Sequence, residues 1–270
     1  MIEVTNAKVV CRDLDFLSLS WEVARTAEDL LGYTFVVLRS EATQGPYEPI
    51  TEPFSDRYEF RDYIAPRKHE WRLFHYKIVA THVETGESKE FGPFTAHARP
   101  PLDALEIVRL ETILFREFVG RPCLLVPVRT FGQTCPQCYD SVTGRITLSN
   151  CPMCFTTGFT GGYLNPTVIY TQLDPSARMQ QSNPPITQQH SMTTGRCTSV
   201  VYVKPKDLLL EENGKRWRIT AVSTTERLRF PVRQELQLTA IPIGDIEYGI
   251  PIEWPAVETS PRSYDYSGRV

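Results

Sequence analysis

The stretch TCPQCYDSVTGRITLSNCPMCFTTGFTGGY, residues 134–163, places four of the chain's seven cysteines in two matched pairs. Two residues separate Cys135 from Cys138 and Cys151 from Cys154, and twelve lie between the pairs. A two-residue gap lets both sulfurs of a pair turn toward one centre, so two such pairs offer the four thiolates of a tetrahedral zinc site. The intervening YDSVTGRITLSN can fold back as a hairpin through Thr143 and Gly144, bringing the second pair beside the first. Pro136 and Pro152 stiffen the two turns, and Gly158, Gly161 and Gly162 permit the tight backbone that must follow. The expectation is a zinc ribbon with one zinc per chain, held by Cys135, Cys138, Cys151 and Cys154. Four thiolates leave no position open for water or substrate, which makes such a zinc structural. An iron centre, unmetallated thiols or a redox dithiol are the other readings of these residues. The last needs a strand-to-helix setting that the sequence lacks.

Seven cysteines is an odd count, and in a reducing compartment closely spaced pairs are more often metal ligands than disulfides. Cys11, Cys123 and Cys197 stand alone and read as small buried side chains. The start MIEVTNAKVV has neither the basic residues nor the apolar stretch of a secretion signal. No run approaches the roughly 18 apolar residues of a membrane span. The expected compartment is the cytoplasm, without a membrane partner. The formal net charge of −3 argues against broad nucleic-acid binding, which draws its affinity from neutralised phosphates. Within the ribbon the only charged side chains are Asp140 and Arg145, which leaves little capacity for phosphate. From Lys204 to Arg233 the cations Lys204, Lys206, Lys215, Arg216, Arg218, Arg227, Arg229 and Arg233 outnumber Asp207, Glu211, Glu212 and Glu226. A modest positive face there would be a solvated barrel surface or a contact for an acidic partner or passing DNA.

At 270 residues the chain has room for two domains, and 21 prolines with 11% aromatics and many short β-branched runs point to a mainly β fold. Over residues 1–100 the runs IEVTNAKVV, FLSLSWEV, YTFVVLRS, EWRLFHYKIVATHV and KEFGPFTAHA alternate with period two and predict a β-sandwich. Trp21 in LSLSWEV, GYTFVVLRS followed by GPYEPI, Tyr76 in YKIVATHVETGES and the closing FGPFTAHA resemble a fibronectin type III domain. The resemblance implies that Trp21 and Tyr76 pack in the core and that the module spaces or adheres rather than catalyses. His69, His75, His82 and His97 lack partners at metal-ligand spacing and read as ordinary histidines, with His75 on a strand and His82 on the turn after it.

Over residues 101–121 the period changes. In LDALEIVRLETILFREFVG, Leu105, Val108, Leu110, Ile113, Phe115 and Phe118 give one apolar face of a connecting helix, with Asp103 and Glu106 as its cap. That face packs on the second domain or meets a neighbouring subunit, and sequence does not separate the two. Residues 122–253 read as a small β-barrel or sandwich built from PCLLVPVRT, NPTVIYTQL, TSVVYVK, DLLLEENGKRWRITAVS and RQELQLTAI. The ribbon is then an excursion that leaves the first of these strands and returns to the second. DPSARMQQSNPPITQQHSMTTGR, residues 174–196, reads as a long loop, and residues 254–270 as a tail or arm.

The order CPQCYD…SNCPMCFTTGFTGGYLNP, a long loop, KPKDLLLEENGKRWRITAVS and FPVRQELQLTAIPIGDIEYGIPI resembles structural proteins of tailed bacteriophages. It is most similar to those of the head-to-tail interface, where small β-barrels with added domains form collars or connector rings. The resemblance implies a non-enzymatic virion protein in a homo-oligomeric ring at the neck, touching portal, connector, tail or fibre proteins. A baseplate or tail protein, and a nucleic-acid-binding zinc-ribbon protein, are the alternatives. FTGGYLNP lacks the lysine of a phosphate loop, no serine sits in a nucleophile-elbow pattern, and the acidic residues are scattered.

Overall fold

The structure, a computed structural model, describes residues 2–64, 72–96, 100–148, 150–174, 178–181 and 189–254. His69, His97 and residues 255–270 of the expected tail lie outside the described residues. The chain is mainly β.

The N-terminal unit contains β1 (Val4–Cys11), β2 (Leu17–Val23), β3 (Tyr33–Ser40), β4 (Glu48–Pro49), β5 (Glu59–Asp62), β6 (His75–His82) and β7 (Ser88–Thr95). They form two antiparallel sheets, in the orders β1-β2-β5 and β4-β3-β6-β7. Alternation in sequence becomes alternation in burial: Leu17, Leu19, Trp21 and Val23 of β2 share one core with Tyr33, Phe35 and Val37 of β3 and Tyr76, Ile78 and Ala80 of β6. A buried polar link joins the sheets. The Tyr76 hydroxyl donates to Asp62 at 2.8 Å, and Arg39 reaches both carboxylate oxygens of Asp62 at 3.0 Å. His75 and His82 are the first and last residues of β6, so His82 ends the strand and does not stand on the turn.

The connecting helix α1 (Leu102–Leu114) continues into a π turn, Phe115–Val119, in which the Gly120 amide bonds the Phe115 carbonyl at 2.9 Å. The expected cap is corrected. Pro101 occupies the cap position and no side chain caps the helix, because α1 starts at Leu102 and Asp103 already lies in its first turn. There its carboxylate faces the helix dipole instead of closing an amide. Glu106 pairs with Arg109 at 3.1 Å. The expected single apolar face is also corrected: Leu105, Val108 and Phe115 are buried, Ile113 is half-buried, and Leu110 and Phe118 are exposed.

The second unit contains β8 (Arg121–Val126), β9 (Tyr139–Asp140), β10 (Arg145–Ile146), β11 (Thr167–Leu173), β12 (Arg178–Gln181), β13 (Gln189–Thr198), β14 (Leu208–Glu211), β15 (Arg216–Arg227) and β16 (Phe230–Ala240). The order β11-β8-β14-β15-β16-β13 closes into a six-stranded barrel through the β11–β13 pairing, with β12 added outside β13. Cys123, Leu125, Ile169, Cys197, Leu209, Trp217, Ile219, Leu236 and Leu238 form one buried core. The opposite faces of β8 and β14, carrying Leu124, Val126, Leu208 and Leu210, form a second core with Ile241, Ile250, Ile252 and Trp254 of a C-terminal strap. Arg216 holds that strap by donating to the carbonyls of Glu247 and Ile250, at 2.5 and 3.1 Å.

Two further expectations change here. The reading of 174–196 as a loop fails over 178–181 and 189–196, where β12 and β13 pair and β13 also pairs with β16. The ladder of the barrel wall recruits a polar segment that has no apolar period of its own. Residues 199–203 of the expected strand TSVVYVK are not a strand. The buried Gln234 side chain instead donates to the carbonyls of Thr198 and Val201 and accepts from the Val203 amide, replacing a ladder there.

The two units share packing. Leu105, Phe131, Leu164 and Phe230 lie against the N-terminal core. The buried Arg129 side chain pairs with Asp56 at 2.6 Å and lies over the Tyr58 ring.

Candidate metal centre

β8 and β11 are antiparallel neighbours, with Leu125 opposite Thr167 and Ile169 opposite Cys123. The chain between them makes the excursion expected from the sequence. An isolated bridge, Val128 to Tyr163, closes its base, and a second, Thr134 to Phe159, brings the first cysteine pair beside the second. Between the pairs, β9 and β10 form a two-stranded hairpin turning through Gly144, whose φ is 67°. Asp140 sets that turn by accepting from the Val142 amide at 2.9 Å and the Thr143 hydroxyl at 2.7 Å.

All four cysteines are buried, and their sulfurs lie within 4.8 Å of one another. The closest approaches cross the pairs: Cys135 to Cys151 at 3.7 Å and Cys138 to Cys154 at 3.1 Å. Both exceed the about 2.05 Å of a disulfide bond. A tetrahedral site with metal–sulfur bonds near 2.3 Å needs sulfurs about 3.8 Å apart, a spacing the cluster brackets. The donor set therefore fits a thiophilic, tetrahedral metal ion.

The surrounding backbone suits thiolates. Burial opposes charge on these sulfurs and, with the neighbouring thiols, pushes Cys138 up. Burial also raises Cys154, partly offset by Cys138 and by the Gly158 amide. At Cys151 burial is outweighed by the amides of Met153 and Cys154 together with the Cys154 and Cys135 thiols, which bring the thiol down to about 7. Thiols this close cannot all ionise alone, and a bound dication reverses that balance because coordinated thiols are deprotonated. Amide donors at the sulfurs are the outer support that orients such ligands.

Gly158, Gly161 and Gly162 have φ of 81°, 81° and 68°, as the tight return demands. A Cβ on Gly162 would stand 2.7 Å from the Cys154 carbonyl, so the approach of that loop depends on glycine. Phe155 and Thr156 are also left-handed, at 47° and 68°.

The cluster has almost no apolar core of its own, with only Met153 among the described residues packing against the cysteines. It is held from outside. Arg25 donates to the Tyr139 hydroxyl at 2.7 Å and lies over the Phe159 ring, while the Thr134 amide bonds the Thr26 carbonyl at 3.0 Å. At the base, the Tyr163 hydroxyl donates to the buried Glu247 of the strap at 3.2 Å. No spacing signal in the sequence marks Arg25 or Glu247 as supports.

Cys11, Cys123 and Cys197 are buried and stand outside the cluster. Among the described residues no histidine or carboxylate joins the four cysteines. Half of the expected positive face is engaged inside the chain, where Arg216 and Arg218 bind the strap, Arg233 bonds Glu111 of α1 and Lys215 lies over Trp217, while Lys204, Lys206, Arg227 and Arg229 stand exposed. Searches for known relatives find no protein-family model that matches the chain and no curated protein that matches it.

Proposed function

We propose that the protein is a non-enzymatic structural subunit of a tailed-phage virion, forming a ring or collar at the head-to-tail interface around a zinc-stapled barrel. The observation that carries the reading is the placement of a buried, all-thiolate cluster between two neighbouring strands of a closed barrel. Such a donor set leaves no coordination position for chemistry, and zinc suits four thiolates in tetrahedral array. The metal would hold a long connection that lacks an apolar core. The sheet orders β1-β2-β5 and β4-β3-β6-β7, with Trp21 and Tyr76 buried between them, support a fibronectin type III-like sandwich. The Arg129–Asp56 pair and the shared packing seat that sandwich on the barrel, as a part of a rigid assembly would require.

A baseplate or tail position is the second reading, since the same architecture serves any ring of the particle. The nucleic-acid reading draws less support. The ribbon hairpin exposes Val142, Ile146 and Leu148 beside a single cation, Arg145, which suits a protein surface better than a phosphate backbone.

Native mass spectrometry of the purified chain tests the proposal, because it reports metal and subunit number together. One zinc per chain in a ring-sized species supports it. Metal-free protein overturns the zinc assignment, and a monomer that never enters particles overturns the virion reading.

A further inference from the structure

Two exposed surfaces of this chain are left without partners among the described residues. The first is on the connecting helix, where Leu110, Leu114 and Phe118 recur every four residues and are 54%, 40% and 77% exposed. A helix that merely covers a barrel buries one stripe, and this one already buries Leu105, Val108 and Phe115 on the other side. Asp103, Glu106 and Glu117 stand exposed along the same stretch. Arg109 and Arg116 pair with Glu106 and Glu117 of the helix, which leaves Asp103 as the one surplus carboxylate and the two paired glutamates with oxygens still facing solvent. The surface is apolar with an acidic border.

The second is the tip of the β15–β16 hairpin. Its two central residues, Leu228 and Arg229, have φ of 53° and 63°. That turn geometry favours Asn-Gly, and both residues here are bulky. Leu228 is 62% exposed and packs into none of the cores. Arg227 and Arg229 flank it, both exposed, with Glu226 one step down β15. The tip is held firmly: Phe230 packs against the N-terminal core, and the Ser199 hydroxyl donates to the Pro231 carbonyl at 2.6 Å. Bulky residues in this turn cost backbone energy with no packing gained among the described residues, which makes the tip a candidate for use outside the chain.

We propose that the Arg227–Leu228–Arg229 tip of one copy docks on the Leu110–Leu114–Phe118 stripe of another copy. Leucine meets the apolar stripe, and the two guanidinium groups meet its carboxylates. A second copy is the partner because both halves, opposite in charge and alike in apolar character, are carried by one chain. Within a chain they do not cover each other, since both remain exposed. Such a contact joins two different surfaces, which closes a ring or continues a filament. The inference deepens the ring reading above and rests on self-assembly, not on the place of the protein in a virion.

The test is the mass of the full chain in solution, by light scattering and native mass spectrometry, for wild type and four variants. Leu228→Asn with Arg229→Gly relaxes the turn, so melting temperature is expected to rise by about 2–4 °C while self-association weakens about tenfold or more. Leu228→Asn alone, which keeps both cations, is expected to weaken association less. Arg227→Glu with Arg229→Glu, and separately Glu106→Lys with Glu117→Lys, are each expected to give monomers. An equimolar mixture of these two double variants is expected to reassociate, because each then offers what the other lacks. A wild type that stays monomeric overturns the inference together with autonomous ring formation. A wild-type ring that ignores all four variants overturns this interface alone and leaves the ring reading standing.

Discussion

Buried polar side chains must find partners within the protein, and Gln234 finds three where the chain leaves β13: the carbonyls of Thr198 and Val201 and the amide of Val203. Gln234→Leu fills a similar volume but orphans all three backbone groups. At about 1–3 kcal/mol for each buried group left unmade, a loss of about 3 kcal/mol or more is expected in urea unfolding. A change below about 0.5 kcal/mol, the range of ordinary surface substitutions, would show that water or another group serves this segment instead. Thr156 points the other way. It is β-branched and left-handed, with φ of 68°, two residues after the second cysteine pair. Thr156→Gly removes the clash of a β-branched side chain with the left-handed backbone, and the added freedom of glycine in the unfolded chain offsets part of the gain. Thermal melts of the metal-loaded protein are expected to show a net gain of about 1 kcal/mol. A loss would mean that the threonine side chain makes a contact worth more than its strain.

The β8 strand leaves the barrel wall at Val126, and Asp207, just before β14, governs that exit. Its carboxylate accepts from the Val128 amide at 2.9 Å and from the Lys204 amide at 2.7 Å. Burial raises its pKa to about 6, outweighing those two amides and the charge of Lys204. The folded protein therefore holds this proton at pH values where the unfolded chain has lost it, so stability from this group falls as pH rises from about 4 to 6. Asp207→Asn removes the titration. Urea unfolding of both proteins at pH 5 and pH 7.5 is expected to show wild type losing about 1.4 kcal/mol relative to the variant, one pKa unit of linkage. Equal differences at both pH values would remove Asp207 as the cause. Comparing the two proteins cancels the pH dependence of the thiolates, which both share. The same strands show what the sequence makes legible. The hairpin between the cysteine pairs and the return of the ribbon beside β8 follow from local spacing and turn residues. The strap does not, although CLLV and LLL in β8 and β14 carry its signal. Apolar residues at consecutive positions must be covered on both faces, and the cover is Ile241 to Trp254, far away in sequence. β13 was hidden for the opposite reason, since its strand state comes from neighbours on both sides and not from its own pattern.

Among the described residues, apolar cores fill the N-terminal unit, the barrel interior and the space under the strap, whereas the ribbon has almost none of its own. The N-terminal core and the barrel core are each built mainly from their own strands, whereas the ribbon's buried centre is four cysteines. Metal removal should therefore act on the molecule unevenly. Amides from Cys135 to Gly162, including those bonded across the ribbon such as Thr147 to the Cys138 carbonyl at 2.8 Å, depend on the cluster staying closed. The ladders of β2, β3 and β6, and those of β15 and β16, do not. Hydrogen exchange of the full chain before and after chelation is expected to show protection lost through the ribbon and kept in these ladders. The seam is the informative place, because the Thr134 amide on the Thr26 carbonyl and the Arg25 contact to Tyr139 both hang on the ribbon's position. The Arg129 side chain does not, since it pairs with Asp56 and is buried against Tyr58 outside the cysteine pairs, although the Arg129 amide bonds the Gly162 carbonyl at 2.9 Å and reports on the ribbon. Loss at Thr134 with retention at β8 and β5 would mean that the metal sets the ribbon while packing around Arg129 joins the two units. Loss throughout would make the metal the support of the entire fold, and an unchanged ribbon would show that the four cysteines hold their places without it.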